Sequence, residues 1–578
     1  MGKSSACFYF FFAASCLFFL GCDGDSDGLT ESSDLFQSSG KVYKLTKETE
    51  VVTISGGEAG AKYIVMPFAL GETSGPNAVQ GGDTTNALNF TLQVTSGAKL
   101  SGNGYGQNLV RDSEISGIEF DHRLRSLLNH FDPRREADLR EVDVLEKMNV
   151  RDGPYSGFNF GGEKGVKDVF LAISSQKKSK KIRKRSFLNS DCEDVDSVTG
   201  ADPEENLDTN KMKIGASSQN YCLYIPTEGV ATVTDIEEIK AGIEKSLALY
   251  KTVIYKDNLT SSKDDYRFQP YIVVQPADDS SQWTYPKVSG AFIEALVSDN
   301  DRPTIIVASD QSKVNTGETD SKKLKEFFHS TISHELQHAV FHYYRYINDL
   351  TIDSPQFDEG LAHYMEDVLG YGSVNFSIYP QAFLSLFFTA VNGPALANIK
   401  GTGSAAERGA AQTFFYYLIS QKGGVIFDKY VSGGVGFDFV RSYVAGTATN
   451  ISGVISAYGS DDWVTTMGEY FGALAIDGAS TLNPESAYRV QDPEEGINNA
   501  VGNVDKTFGM HYRNFGDLPD LGEALSGAES LGGAAVSAEL QYYQTRVFLL
   551  ELTESEAKLS VKMQQKYDNA GVTVVRIK

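Results

Sequence analysis

The pentapeptide His334-Glu335-Leu336-Gln337-His338, within Ile332–Tyr344 ("ISHELQHAVFHYY"), restricts this chain more than any other stretch. Residues four apart in a helix share a face. The imidazoles at 334 and 338 can therefore address one metal ion, with Glu335 beside them. A catalytic zinc takes three protein ligands and keeps a fourth position for water, whose pKa falls from 15.7 toward about 7. A neighbouring carboxylate can accept that water's proton and deliver it to a leaving amine. The flanking pattern predicts a long helix over 321–346. The competing reading is a histidine-rich stretch of an ordinary helix.

A third ligand decides between the two. The longer three-histidine motif would need Gly and His at positions occupied here by Phe341 and Tyr344, so that option fails. His342 lies one further turn along the same helix, where it cannot easily join a tetrahedral ion. His329 falls on a different face. The remaining option is a carboxylate from a following helix. "SPQFDEGLAHYMEDVLG" predicts one, with Ser354 as cap and Pro355 in its first turn. Glu359 comes 21 residues after His338 (359 minus 338). That leaves room for a turn and an antiparallel helix buried through Leu361, Tyr364 or Met365, and Val368. Taken alone, Glu359 could equally be a surface carboxylate near a helix N-terminus.

Around this centre the text divides by composition. "LNFTLQV" alternates apolar and polar residues, and 41–175 reads as a β-rich domain with a helical segment. "QKKSKKIRKR" and the acidic stretch after it, 176–214, read as a linker; a protease-processing site or an anionic-lipid patch is the functional alternative. Strands "YCLYIP", "PYIVVQP" and "TIIVAS" alternate with helices over 215–480. Residues 481–578 read as strands of a C-terminal β-sandwich domain. The class expected is α+β.

Lys3 and the apolar run Phe8–Leu20 read as an export signal occupying 1–21. "FLGC" ahead of an acidic, Gly-rich stretch resembles a bacterial lipoprotein signal, with Cys22 as the acylated first residue and 22–40 as a flexible tether. A plain secretory signal or an uncleaved anchor is the alternative. Of five cysteines, Cys192 and Cys222 then remain, which suggests one disulfide; two free thiols are the other possibility. A formal net charge of -24 argues against a nucleic-acid partner. The expected partners are a polypeptide substrate and, through the lipid, a membrane in the bacterial cell envelope; a monomer is expected.

"ISHELQHAVFHYYR" followed by "FDEGLAHYMEDVLGYG" resembles the hyicolysin family of secreted bacterial zinc metallopeptidases, gluzincins in which a His-Glu-x-x-His helix pairs with a downstream glutamate helix. "YIPTEGVATVTDIEEIKAGIEKSLALYKTVIY", "SGAF" and "RGAAQTFFYYLISQKGG" extend the likeness over about residues 215–480. The resemblance implies a zincin-like α+β catalytic domain binding one zinc ion through His334, His338 and Glu359, with Glu335 as general base. His363 sits where some gluzincins carry an acidic residue behind the zinc ligands. Its role is therefore open between support of the ligands, donation to an oxyanion, and packing. Arg408, Tyr416 and Tyr417 are further oxyanion candidates. By the same analogy, substrate would add a strand along Thr304–Ser309. A non-catalytic surface lipoprotein on a metallopeptidase-derived scaffold is the alternative.

Overall fold

A computed structural model describes residues 36–70, 88–102, 211–227, 236–255, 268–275, 290–292, 302–308, 321–350, 355–371, 405–424, 436–476, 482–490, 535–567 and 569–578. Shorter pieces lie at 114–115, 149–150, 192–195, 198, 426–428, 430–433 and 529–530. The expected signal segment, Cys22, most of the tether, the helical segment after residue 120 and the basic run at 176–185 fall outside the described residues. The tether is shorter than expected, because Phe36–Ser38 already pairs in parallel with Leu482–Pro484.

The described chain is mixed α/β, with seven α-helices and several sheets. It opens on strands β1 (Gly40–Leu45), β2 (Thr49–Ser55), β3 (Lys62–Ala69), β4 (Leu88–Ser96) and β5 (Ala98–Gly102). A five-stranded sheet follows, from β6 (Met212–Ser217), β7 (Cys222–Pro226), β8 (Tyr271–Gln275), β9 (Gly290–Phe292) and β10 (Thr304–Ala308), in the order β9-β10-β8-β7-β6. Strands β7, β8 and β10 are parallel; β6 and β9 close the two edges antiparallel. Tyr271–Val274 and Ile305–Val307 are continuously apolar and buried, as inner parallel strands covered on both faces must be. This overturns the expected substrate edge. Among the described residues Thr304–Ala308 is interior, and the edge strand is Gly290–Phe292. Three residues are too few for a strand period to show in the sequence.

The helices are α1 (Ile236–Ala248), α2 (Ser321–Ile347), α3 (Pro355–Val368), α4 (Ala405–Gln421), α5 (Gly436–Ala445), α6 (Ile451–Tyr458) and α7 (Trp463–Ile476). In α1 the buried side chains Ile239, Ile243 and Leu247 recur every fourth residue. Helix α2 packs on β9 and β10 on one side, and on α1 and α3 on others. Its end is tied down by Arg345, whose guanidinium donates to the carbonyls of Val444, Gly446 and Thr447 at the C-terminal end of α5. A cation there also meets the negative end of the helix dipole.

The C-terminal strands are β11 (Val536–Leu540), β12 (Phe548–Leu552), β13 (Glu556–Met563) and β14 (Ala570–Arg576). They do not form a separate domain. One sheet runs β5-β12-β3-β14-β1, with Glu529–Ser530 beyond β5; the other runs β11-β4-β13-β2. Every named sandwich strand thus pairs with at least one from the opposite end of the chain. The described strands of the two flanking domains expected from the sequence form one antiparallel sandwich. The larger sheet is also buried on both faces. Along β3, Tyr63, Val65 and Ala69 point into the sandwich core, while Ile64, Met66 and Phe68 point into the core shared with the helices. On β14, Thr573 donates to the Gly468 carbonyl of α7 at 2.8 Å.

Cys192 and Cys222 stand at disulfide-bonding positions, with Cα atoms 5.6 Å apart. Among the described residues no helix is long and apolar enough to cross a membrane.

Shared strands give a direct test. Deleting residues 556–578 removes β13 and β14, and with them the partners of β1, β2 and one edge of both β3 and β4. The expected product is aggregated on size-exclusion chromatography. A soluble, folded N-terminal half would contradict this architecture.

Candidate metal centre

Helix α2 is polar and buried along its middle. Ser330, Ser333, His334, Glu335, Gln337 and His338 are all at most 2% exposed. Such a helix lacks a one-sided apolar stripe, so its stability comes from partners for those groups. Those of Ser330, His334 and His338 come from α3, which runs beside it; Tyr250, Phe292 and Tyr255 partner Ser333, Glu335 and Gln337.

His334, His338 and Glu359 converge. The Nε2 atoms of the two histidines are 3.0 Å apart. Glu359 Oε2 lies 3.2 Å from His334 Nε2 and 3.7 Å from His338 Nε2. Ligand atoms about 2.05 Å from a tetrahedral zinc stand about 3.3 Å from one another. The three measured separations bracket that value, so the group can hold a metal ion. Glu359 Oε1 is buried with no hydrogen-bond partner, which also fits a carboxylate built to meet a cation.

The tautomers agree. His338 Nδ1 lies 2.8 Å from Asp358 Oδ2, and His334 Nδ1 lies 2.5 Å from Glu366 Oε1. A carboxylate accepts only from an N–H, so each Nδ1 carries a proton. A neutral imidazole then has its lone pair on Nε2, facing the shared point. Ser330 Oγ donates to the other oxygen of Glu366.

Asp358 and Glu366 were not singled out in the sequence. Glu366 is seven residues after Glu359 and Asp358 is next to it, so both were available from helical spacing once Glu359 was accepted. Glu366 supplies the acidic support that position 363 lacks.

His363 lies against His334, with ring centroids 4.4 Å apart. Its Nδ1 is 2.8 Å from Glu366 Oε1, and its Nε2 is 3.4 Å from Arg408 Nη1. Burial, with smaller contributions from His334 and Arg408, holds it down to about 4 against the opposing pull of Glu366. Neutral and bonded on both nitrogens, it bridges Glu366 to Arg408. Of the other oxyanion candidates, Tyr416 donates to Asp367 Oδ2 and Tyr417 to the Ala487 carbonyl. Arg408 alone of the three reaches the metal group, 2.8 Å from Glu359 Oε2. His342 packs against Phe292 and His329 stacks on Tyr371, each apart from the ligand group.

Glu335 faces the other way, toward the sheet edge. Its Oε2 accepts from the backbone N–H of Phe292 at 2.7 Å. The edge strand approaches α2 so closely that a Cβ on Gly290 would lie 2.5 Å from Thr331 Cγ2. Glycine is what permits that approach.

No protein-family model matches this chain, and no curated protein matches it.

The charges predict proton-linked metal uptake. Burial opposes charging of His338, but Asp358 and then Glu359 outweigh it and hold its pKa well above 6.5. In the metal-free protein the charged ring is therefore favoured. It stabilises the fold below its unfolded pKa, and that contribution is lost as pH rises through the folded value. A metal needs the neutral ring, so uptake expels a proton and affinity falls as pH falls. Zinc titrations by calorimetry at pH 7, in two buffers of different ionisation enthalpy, should give different observed heats. Equal heats would contradict the assignment.

Proposed function

We propose that this protein is a zinc-dependent metallopeptidase of the gluzincin type, resembling the hyicolysin family, that cleaves within polypeptides. The observation that carries the reading is the convergence of His334, His338 and Glu359 from two helices. His334, His338 and Glu359 would hold the zinc, which would supply Lewis-acid activation of a water.

The chain's own residues account for the rest. Asp358 and Glu366 orient the two imidazoles, so that little reorganisation is needed when the site loads. Glu335 is the residue placed to accept a proton from water and return it to the leaving amine. It is one position along α2 from a ligand histidine, and its carboxylate is already fixed by the Phe292 N–H. An extended peptide would add to the sheet at Gly290–Phe292, gaining main-chain hydrogen bonds that do not depend on its side chains. This strand, not Thr304–Ala308, brings a scissile bond near Glu335. Export and a lipid anchor at Cys22 belong to the same proposal and rest on the N-terminal sequence.

One observation favours a second reading, a non-catalytic binding module. His334, Glu335, His338 and Glu359 are each at most 1% exposed, and closed zinc sites are typically structural.

Two variants separate the readings. Glu335→Gln should keep stoichiometric zinc by elemental analysis yet lose at least about 10²-fold in hydrolysis of casein or a fluorogenic peptide. Glu359→Ala should lose the zinc. Wild-type protein that carries zinc and cleaves nothing would favour the second reading. Unchanged zinc in Glu359→Ala would remove the proposed third ligand.

A further inference from the structure

Helix α4 contributes no metal ligand, yet it meets α3 along a buried polar seam. The two backbones are nearly in contact: a Cβ on Gly360 would lie 2.4 Å from Ala411 Cβ. Glu359, His363 and Asp367 on α3 face Arg408, Gln412 and Tyr416 on α4, each set at four-residue spacing. Gln412 Nε2 and the Tyr416 hydroxyl both donate to Asp367 Oδ2, at 2.6 and 2.5 Å. At the other end Arg408 Nη1 lies 2.8 Å from Glu359 Oε2, the oxygen that faces both imidazoles.

Arg408 also closes a ring. From Glu359 Oε2 the contacts run to Arg408 Nη1, on to His363 Nε2, through that imidazole to Glu366 Oε1, and then to His334 Nδ1. His334 Nε2 returns to Glu359 Oε2 at 3.2 Å. Two of the three candidate ligand side chains are thus joined through one ring of contacts. Every member of the ring is at most 1% exposed, so none is held loosely by solvent.

We propose that Arg408 is a positioning residue of the metal centre. It holds the Glu359 carboxylate against the two imidazoles and offsets its charge until a metal arrives, after which it keeps the carboxylate in place through a second lone pair of the same oxygen. Both contacts come from one nitrogen, Nη1, whose two N–H groups lie in the fixed guanidinium plane and can donate to Glu359 and His363 together. The proposal rests on the metal-centre reading of His334, His338 and Glu359, but not on peptide hydrolysis.

The test uses the full chain and two probes, zinc affinity by chelator competition and the visible spectrum of the cobalt(II)-loaded protein. His338→Ala checks the underlying reading, and retained zinc affinity there would defeat that reading itself. With that control lost as expected, Arg408→Met should bind zinc about 10- to 100-fold more weakly and shift the cobalt spectrum, the usual size of such an outer-sphere loss. Arg408→Lys, which keeps the charge without the fork, should recover part of the affinity. Gln412→Leu disturbs the same helix seam away from the ligands and should leave zinc affinity unchanged. Arg408→Met with wild-type affinity and spectrum would overturn the proposal. So would a Gln412→Leu loss as large as that of Arg408→Met, since the effect would then be helix packing. If Arg408→Met does not fold, Arg408→Lys carries the test: several-fold weaker zinc with an altered cobalt spectrum supports the proposal, and no change overturns it.

Discussion

The packing of α3 against α2 governs the rest of this molecule, because it buries more negative than positive charge in one place. Glu335, Asp358, Glu359, Glu366 and Asp367 are all at most 1% exposed, and Arg408 is the buried arginine among them. A carboxylate removed from water costs several kcal/mol unless it is paired. Here the pairing is supplied by imidazole N–H groups, hydroxyls, the Phe292 amide and one guanidinium. Arg408, followed by His338, draws Glu359 well below the usual carboxylate range despite its burial. His363 and His334 do the same for Glu366. Such a cluster is stable only with every member in place; removing one partner of a buried ion pair costs about 3–5 kcal/mol. A divalent cation at the convergence point would relieve the remaining imbalance.

This dependence explains why the surroundings are so tightly built. Helix α2 cannot move relative to β9 without breaking the Glu335–Phe292 contact, and Gly290 lets the two come close enough to make it. Helix α3 is held from its other side by α4 through the close approach at Gly360 and the Arg408–Glu359 contact. The ligands are therefore set by three helices and one strand edge. Preorganisation of that kind lets a site bind or react without reorganising its own dipoles.

The sandwich adds a second constraint. Because β3 divides its side chains between the sandwich core and the helical core, the larger sheet is a common wall. A change in that wall is felt on both sides, since packed interiors transmit strain rather than absorb it. The outer ends of the chain are thus coupled to the helices that carry the candidate site, through α7 and the Thr573–Gly468 contact.

Much of this was legible without coordinates. The spacing of His334 and His338, and the antiparallel helix needed to return Glu359, follow from helical geometry, which repeats every few residues and is written locally. The elements Cys222–Pro226, Tyr271–Gln275, α2, α3 and α4 could be read for the same reason. What no local pattern contains is which distant surface meets which. The pairing of residues 40–102 with 529–576, the edge position of Gly290–Phe292, and the approach of Arg408 to Glu359 join groups far apart in sequence. They are decided by burial and hydrogen-bond satisfaction over the whole chain. Period-two alternation tells a strand which face is apolar, but leaves open which strand lies beside it. The sequence by itself determined the candidate ligands and the helices that carry them; the tertiary structure decided their supporting residues and the single sandwich, because those depend on contacts that exist only once the chain has closed on itself.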